Sequence, residues 1–335
     1  MKKRWLIAVT VLLLAALGAG TWFATTPPGG GPGVGETVEI VVPPGAGALA
    51  IGAQLRTAGL IRYPRFFALA ARARGVEASL KAGRYRVTGG MDWGEILDVI
   101  AAGEVVTFPL TVPEGFTVRE LAPRVAEATG VETDSVARLA MDSTFAAELG
   151  VPGPTLEGYL FPETYRFAEG LAPADILREM VARYRAYWTP ERRARLDSLS
   201  LDERGLVTLA SIVEEDARVG EERPLIAGVY TNRLEIGMLL QADPTVQYAL
   251  GEPKARLLFA DIDRVADDPY NTYTHPGLPP GPIASPGASS LDAALYPADV
   301  PYLFFVARPD GSHEFTRTNR EHVNARNRIR REQGE

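Results

Sequence analysis

The chain has 335 residues, no cysteine and a net charge of −7. That length allows two domains. The missing cysteines exclude disulfide staples and thiolate metal sites. The acidic balance, with no basic cluster interleaved with aromatics, argues against a nucleic-acid surface.

Lys2, Lys3 and Arg4 precede an uncharged apolar run from Trp5 to Thr25, close to the roughly 20 residues that span a bilayer as a helix. The run is longer than the apolar core of a cleaved signal peptide. No cysteine follows it, which excludes a lipoprotein anchor. The basic flank should stay cytoplasmic. Residues 1–25 are therefore expected to be a cytoplasmic flank and a transmembrane helix. The expected location is the cell (inner) membrane, single-pass, with the body of the chain periplasmic. Residues 26–37 read as a Pro/Gly linker without side chains able to build a core.

An internal similarity follows. The segment Val38 to Leu60 and the segment Val106 to Val131 each carry a β-rich run, then Val-Pro-x-Gly, then an apolar helical pattern ending near a glycine. The two Val-Pro-x-Gly copies are Val42 to Gly45 and Val112 to Gly115. A weaker version runs from Tyr85 through Gly89 and Gly90 to a helical pattern over Met91–Ala102, and Tyr63 to Gly75 reads as another helix. The fold class is α+β, with short strands pairing and helices covering one face. A module of this kind over residues 38–105 resembles LysM-type glycan-binding domains, and a plain packing scaffold would look the same. Residues 106–335 then form a mixed α+β catalytic domain, of which 106–150 can pack as a second strand–helix submodule.

From Pro152 the chain changes character. The stretch Thr155 to Phe167 is rich in aromatics and carries Glu157 and Glu163. Helices are expected over Ala174–Trp188, near Pro190–Ser198, around Glu214 and over Pro224–Leu234, followed by a loop-rich region to Pro286. Val300 to Thr318 reads as a hairpin with Asp310-Gly311 in its turn, and a last helix starts near Asn319. The arginine-rich tail from Arg317 to Arg331 reads as a solvated helix.

The chemistry centres on LASIVEEDA, Leu209 to Ala217. Leu206, Leu209, Ala210, Val213 and Ala217 fall on one helical stripe. Glu215 points away from it and should be solvated, while Glu214 and Asp216 sit at its two edges. An edge carboxyl beside apolar neighbours is partly desolvated, which suits a general acid. Periodicity alone does not separate Glu214 from Asp216, and a capping or ion-paired carboxylate would look alike. Downstream, Gln241, Asp243, Thr245, Gln247 and Tyr248 surround Pro244, and Asn271, Thr272 and Tyr273 repeat the mix. Gly277 to Gly287 reads as a stiff groove wall. Neutral hydrogen-bonding groups and aromatic faces along a groove suit a sugar polymer, and one acid beside it suggests glycosidic cleavage. Competing chemistries lack their residues. The three histidines, His275, His313 and His322, show no metal spacing, and there is no serine-hydrolase elbow or phosphate-cradling loop.

EGYLFPETY, LASIVEEDA, the run from Asn232 to Tyr248, YNTY at Tyr270 to Tyr273 and GLPPGPIASPG at Gly277 to Gly287 resemble the signature blocks of the YceG-like endolytic murein transglycosylases. The resemblance extends from about Val38 to Arg330. It implies a lyase that needs no cofactor and no metal. Such an enzyme cuts the MurNAc–GlcNAc β-1,4 bond of nascent peptidoglycan strands without water, leaves 1,6-anhydroMurNAc ends and terminates elongation beside the peptidoglycan synthases. It maps the catalytic acid onto Glu214. This chain has Glu215-Asp216 where the family more often has Lys-Glu. Glu163, Asn232, Gln241, Asp243, Thr245, Tyr248, Asn271, Thr272 and Tyr273 are the expected substrate-binding residues. A hydrolytic muramidase and a glycan-binding protein without chemistry are the alternatives.

Overall fold

A computed structural model describes residues 31–252, 254 and 257–332. The apolar run Trp5–Thr25 lies outside them. Among the described residues no helix is long and apolar enough to cross a membrane. The chain divides into two compact units. The first holds the described residues up to Pro109 with Arg166–Leu171, and the second holds Leu110–Tyr165 and everything described from Ala172 onward.

In the first unit, β1 (Thr37–Val42) is followed by helices α1 (Ala48–Thr57) and α2 (Pro64–Ala73), then β2 (Gly83–Thr88) and α3 (Trp93–Ala102). β1 and β2 pair antiparallel, with Thr37 opposite Thr88 and Val42 opposite Gly83. Alternation along the strands turns Ile40, Val42, Tyr85 and Val87 inward, onto Ile51, Leu55, Phe67, Ile96 and Ile100 from the helices. α3 starts on a capping box in which Asp92 accepts from the Glu95 amide at 2.9 Å and Glu95 accepts from the Asp92 amide at 2.8 Å.

β3 (Thr107–Thr111) pairs with β4 (Thr164–Ala168). Between them lie α4 (Val118–Thr129), α5 (Thr133–Ala140) and α6 (Ser143–Glu148). The strand, Val-Pro-x-Gly and helix order read from the sequence occurs twice, as β1–α1 and β3–α4. The second unit continues with α7 (Pro173–Tyr187), α8 (Pro190–Asp197), α9 (Glu203–Asp216) and α10 (Arg223–Glu235). α11 (Asp243–Leu250), α12 (Phe259–Arg264) and α13 (Ala288–Leu295) come next, then the hairpin β5 (Phe304–Ala307) and β6 (His313–Thr316), and α14 (Asn319–Glu332). The region expected to be loop-rich thus contains two helices. Asp243-Pro244 reads as a turn in isolation, but proline in the first helical turn lacks only an amide that would have no helical partner.

α9 is the centre of this unit. All eight residues from Leu206 to Val213 are buried, and the helix packs on α13, α10 and α11. Its polar residues are satisfied internally. The Thr208 hydroxyl donates to the Arg204 carbonyl at 2.8 Å, and the Ser211 hydroxyl to the Thr208 carbonyl at 2.7 Å. The one-sided stripe expected from periodicity is therefore an all-round buried helix.

Gly158 holds the EGYLFP turn at φ +84°, and a Cβ there would lie 2.3 Å from the Pro282 Cβ. Gly158→Ala should lower stability by more than the ~1–2 kcal/mol of a left-handed alanine alone, because Pro282 must also move. Urea unfolding of the variant would read this as a reduced midpoint.

Candidate functional site

Glu214 sits in the last turn of α9 with its side chain 6% exposed. Its Oε1 accepts from Arg223 Nη2 at 2.9 Å, and its Oε2 accepts from the Gly287 amide at 2.8 Å. Arg223 stands at the start of α10 and also donates from Nε to the Ser290 hydroxyl at 2.9 Å. Glu114, from the second Val-Pro-x-Gly, lies 3.7 Å from the same Nη2. Partial burial and the Glu214 charge raise the Glu114 carboxyl, against the pull of Arg223. A Cβ on Gly287 would fall 1.9 Å from Glu114 Oε1, so any larger residue there would push the Glu114 side chain aside.

In the Gly277–Gly287 segment, expected to be a stiff groove wall, residues 281–287 are all buried and Ile283 lines a cavity beside it. The Ile283 amide donates to the Ser211 hydroxyl at 3.0 Å. The Ser285 amide donates to the Phe116 carbonyl at 2.8 Å, and the Gly115 amide returns a bond to the Ser285 carbonyl at 2.9 Å. This segment is therefore clamped between α9 and the loop before α4, and the same clamp brings Gly287 to Glu214.

Beside the clamp, still within the second unit, a cavity of about 380 Å³ is lined by Thr117, Glu120, Glu157, Glu215, Gln247 and Tyr248, among others. Gly115 also lines it. A Cβ on Gly115 would stand 2.6 Å from Glu215 Oε1 and 4.0 Å from Glu214 Cγ, so Glu214 lies just behind the glycine. Glu215 is exposed, as periodicity suggested, and it also lines the cavity. Crowding by the protein, with the Glu120 and Glu214 charges, pushes its carboxyl up to about 7. Glu157 is buried and accepts from the Val118 amide at 2.9 Å and the Tyr248 hydroxyl at 3.2 Å. Burial outweighs those two donors and also holds it at about 7. Asp216, the other edge residue, accepts from the Tyr230 hydroxyl. Burial raises it to about 7, with Tyr230 opposing.

The other expected binding residues divide sharply. Tyr248 lines the cavity and packs on Tyr270 with ring centroids 4.8 Å apart. Gln241 is exposed, and at φ +46° it is the only non-glycine residue with positive φ among those described. Strain of this kind concentrates at functional positions. Asp243 accepts from the Tyr273 hydroxyl, so those two occupy one another.

Asn271, Thr272 and Thr245 are 0–1% exposed and have no surface to offer a sugar. Asn271 Nδ2 donates to the carbonyls of Ile262 and Val265, both at 3.0 Å, and its Oδ1 accepts from the Tyr273 amide at 3.0 Å. Thr245 and Thr272 share a hydroxyl contact at 2.8 Å. Asn232 spends its amide on the Val300 and Tyr302 carbonyls, at 2.6 and 2.9 Å. Glu163 is held by Arg183 through two bonds of 2.6 Å, and that guanidinium keeps its carboxyl below the usual range. These five residues build the scaffold. Polarity in a motif records a need for hydrogen bonds, which a buried turn has as much as a substrate does.

Arg223, Glu114 and Glu120 were missed in the sequence. A usable signal existed for Glu114, since Pro44 stands at its place in the first Val-Pro-x-Gly copy.

The family model described as the YceG-like family matches residues 40–328. The chain belongs to the YceG-like family. A Bacillus subtilis relative named endolytic murein transglycosylase is 35% identical over 306 residues, covering 87% of this chain and 84% of that protein. A Streptococcus pneumoniae protein of the same name is 30% identical over 326 residues, and this chain spans 59% of its length. The crystal structure of a yceG-like protein from Listeria monocytogenes superposes with a TM-score of 0.60 at 32% identity. It covers 87% of this chain and 99% of the other. The YceG-like match includes both Val-Pro-x-Gly copies, α9 and the clamped segment.

Two outcomes follow. Asn271→Ala should cost about 1–3 kcal/mol of stability, the usual penalty for orphaned buried partners, and binding of glycan by the folded fraction should be unchanged. Urea unfolding and a glycan pull-down separate the two effects. For Glu157, the carboxyl rises from an ordinary 4.5 to about 7 on folding. The folded chain then holds a proton that the unfolded chain releases. Its contribution to stability is full below about 4.5 and is lost as the pH rises through about 7. Glu157→Gln should flatten the fall in urea midpoint between pH 5 and pH 8, by up to one proton's worth. Glu215 and Asp216 keep the remainder.

Proposed function

We propose that this YceG-like chain is a peptidoglycan lytic transglycosylase that cuts murein glycan strands internally, with Glu214 as its single acid/base. The observation that carries the reading is that Glu214, onto which the motif resemblance maps the catalytic acid, lies next to Gly115 and Glu215 of the cavity wall. The names of the Bacillus and Streptococcus relatives support the same activity.

Glu214 protonates the glycosidic oxygen as the bond to C1 of MurNAc breaks, and the resulting carboxylate then takes the proton of the C6 hydroxyl as that oxygen closes onto C1. No water is consumed, so no second carboxylate is needed to activate one. Arg223 and the Gly287 amide hold the carboxylate between the two steps. Opening the Arg223 contact toward Glu114 frees Glu214 Oε1 for a proton. Gln247 and Tyr248 on the cavity wall supply hydrogen-bonding and stacking surface for sugar rings. Glu215 is a second candidate proton carrier, favoured by its place on the cavity wall and its carboxyl near 7.

Residues 1–25 act as the membrane anchor of a periplasmic body in this reading. Residues 38–105 act as a LysM-like module, supported by the strand–helix–helix–strand order of β1, α1, α2 and β2. Residues 106–335 form the catalytic domain, working on nascent strands near the synthases.

Purified chain incubated with uncrosslinked murein strands should release fragments one water lighter than hydrolytic products, carrying 1,6-anhydroMurNAc ends by mass analysis. Reducing ends would instead identify a muramidase. Glu214→Gln should keep the fold and lose turnover by about 10²–10⁴-fold, the usual worth of acid/base catalysis. A comparable loss in Glu215→Gln with Glu214→Gln still active would move the acid role to Glu215.

A further inference from the structure

Between residues 40 and 76 the chain carries Arg56, Arg62, Arg65, Arg72 and Arg74 and no Asp or Glu. Helix α2 lies in this stretch and turns Phe67 and Ala71 into the core of the first unit. Its other side leaves Phe66 47% and Leu69 60% exposed, together with Arg65, Arg72 and Ala73. By helical periodicity these five share one face. Leu69 lies along its middle, the two arginines along one edge, and Phe66 and Ala73 along the other. The Tyr63 ring meets Phe66 edge-on, with centroids 5.8 Å apart. Arg74 is paired with Asp98 at 2.8 Å, whereas Arg65 and Arg72 make no ion pair with a described residue.

A solvent-facing helix normally presents polar residues outward. Here the outward strip is apolar and edged by unpaired guanidinium groups, the pattern of a helix lying in a membrane interface. Leucine and phenylalanine enter the acyl boundary, while arginine stems cover apolar surface and carry their charge to lipid phosphates. A glycan would require neutral donors and acceptors, and α2 contains no Asn, Gln, Ser or Thr.

We infer that the outer face of α2 docks on the surface of an anionic phospholipid membrane. The inference rests on the reading of residues 1–25 as an anchor: residues 31–36 already pack on the first unit, where the Gly35 amide donates to the Gly89 carbonyl at 2.9 Å, and the five residues 26–30 reach at most about 16–18 Å when fully extended. The first unit is then always within reach of the bilayer, and docking of α2 fixes which side it turns to the lipid.

The chain has no cysteine, so Ala73→Cys gives a single site for an environment-sensitive fluorophore on this face. The labelled full chain is reconstituted into vesicles of phosphatidylcholine alone or with phosphatidylglycerol, each with brominated acyl chains as quencher. Sedimentation reports incorporation separately. Strong quenching confined to the phosphatidylglycerol vesicles supports the proposal, provided Arg65→Glu/Arg72→Glu abolishes it while retaining the circular dichroism of the parent. A chain that sediments with vesicles but stays unquenched overturns the docking face and leaves the anchor standing. A chain that remains in the supernatant overturns both. Equal quenching in neutral vesicles overturns the role of the arginines. Loss of sedimentation with purified murein in the Arg65→Glu/Arg72→Glu variant, with the parent unquenched by lipid, overturns the proposal in favour of a glycan surface.

Discussion

Burial of α9 on every side is the constraint from which the candidate site follows. A helix with eight consecutive buried residues must find internal partners for its hydroxyls and bury apolar surface against several neighbours at once. Ser211 takes the Ile283 amide as one such partner, which lays the Gly277–Gly287 segment along the helix. The same segment then meets the loop of Val112 to Gly115 through Ser285. Both arrive at the C-terminal end of α9, where Glu214, Glu215 and Asp216 stand in succession.

That position is unfavourable for acids. The C-terminal end of a helix carries partial negative charge, and three adjacent carboxyls repel one another. The chain resolves each differently. Glu214 is clamped by Arg223 and the Gly287 amide. Asp216 is half-buried against the Tyr230 hydroxyl, and Glu215 is left at the cavity with its carboxyl near 7. Perturbed carboxyls held against the local field are the arrangement expected of a site kept for chemistry, and structural networks produce it too.

Glu157 extends this wiring. One carboxyl joins the first amide of α4 to Tyr248 of α11 and thereby ties two walls of the cavity to the EGYLFP turn. Gly158 beside it packs directly on Pro282 of the clamped segment. Four of the blocks that looked separate along the chain, the EGYLFP turn, the run ending at Tyr248, Tyr270–Tyr273 and the clamped segment, form one contact network in the second unit. Their polar residues serve mainly to hold one another, which is why Asn271, Thr272 and Thr245 are buried instead of lining the groove.

Local order was legible in the sequence because it depends on neighbours. Strand alternation, the repeated Val-Pro-x-Gly before α1 and α4, the Asp310-Gly311 hairpin and the helix around Glu214 all follow from short-range rules. The motif resemblance also identified the family. Tertiary structure alone decided what surrounds each carboxyl. Gly287 is 73 residues from Glu214, and Arg183, which takes Glu163 out of the site, is 20 residues from it. Helical periodicity assigns a direction to a side chain but not the neighbour waiting there, so it found Glu215 exposed but not its place on the cavity wall, and it read α9 as half-exposed. Burial and hydrogen bonding are set by segments distant in the chain, and they determine whether a polar residue meets substrate or the protein itself.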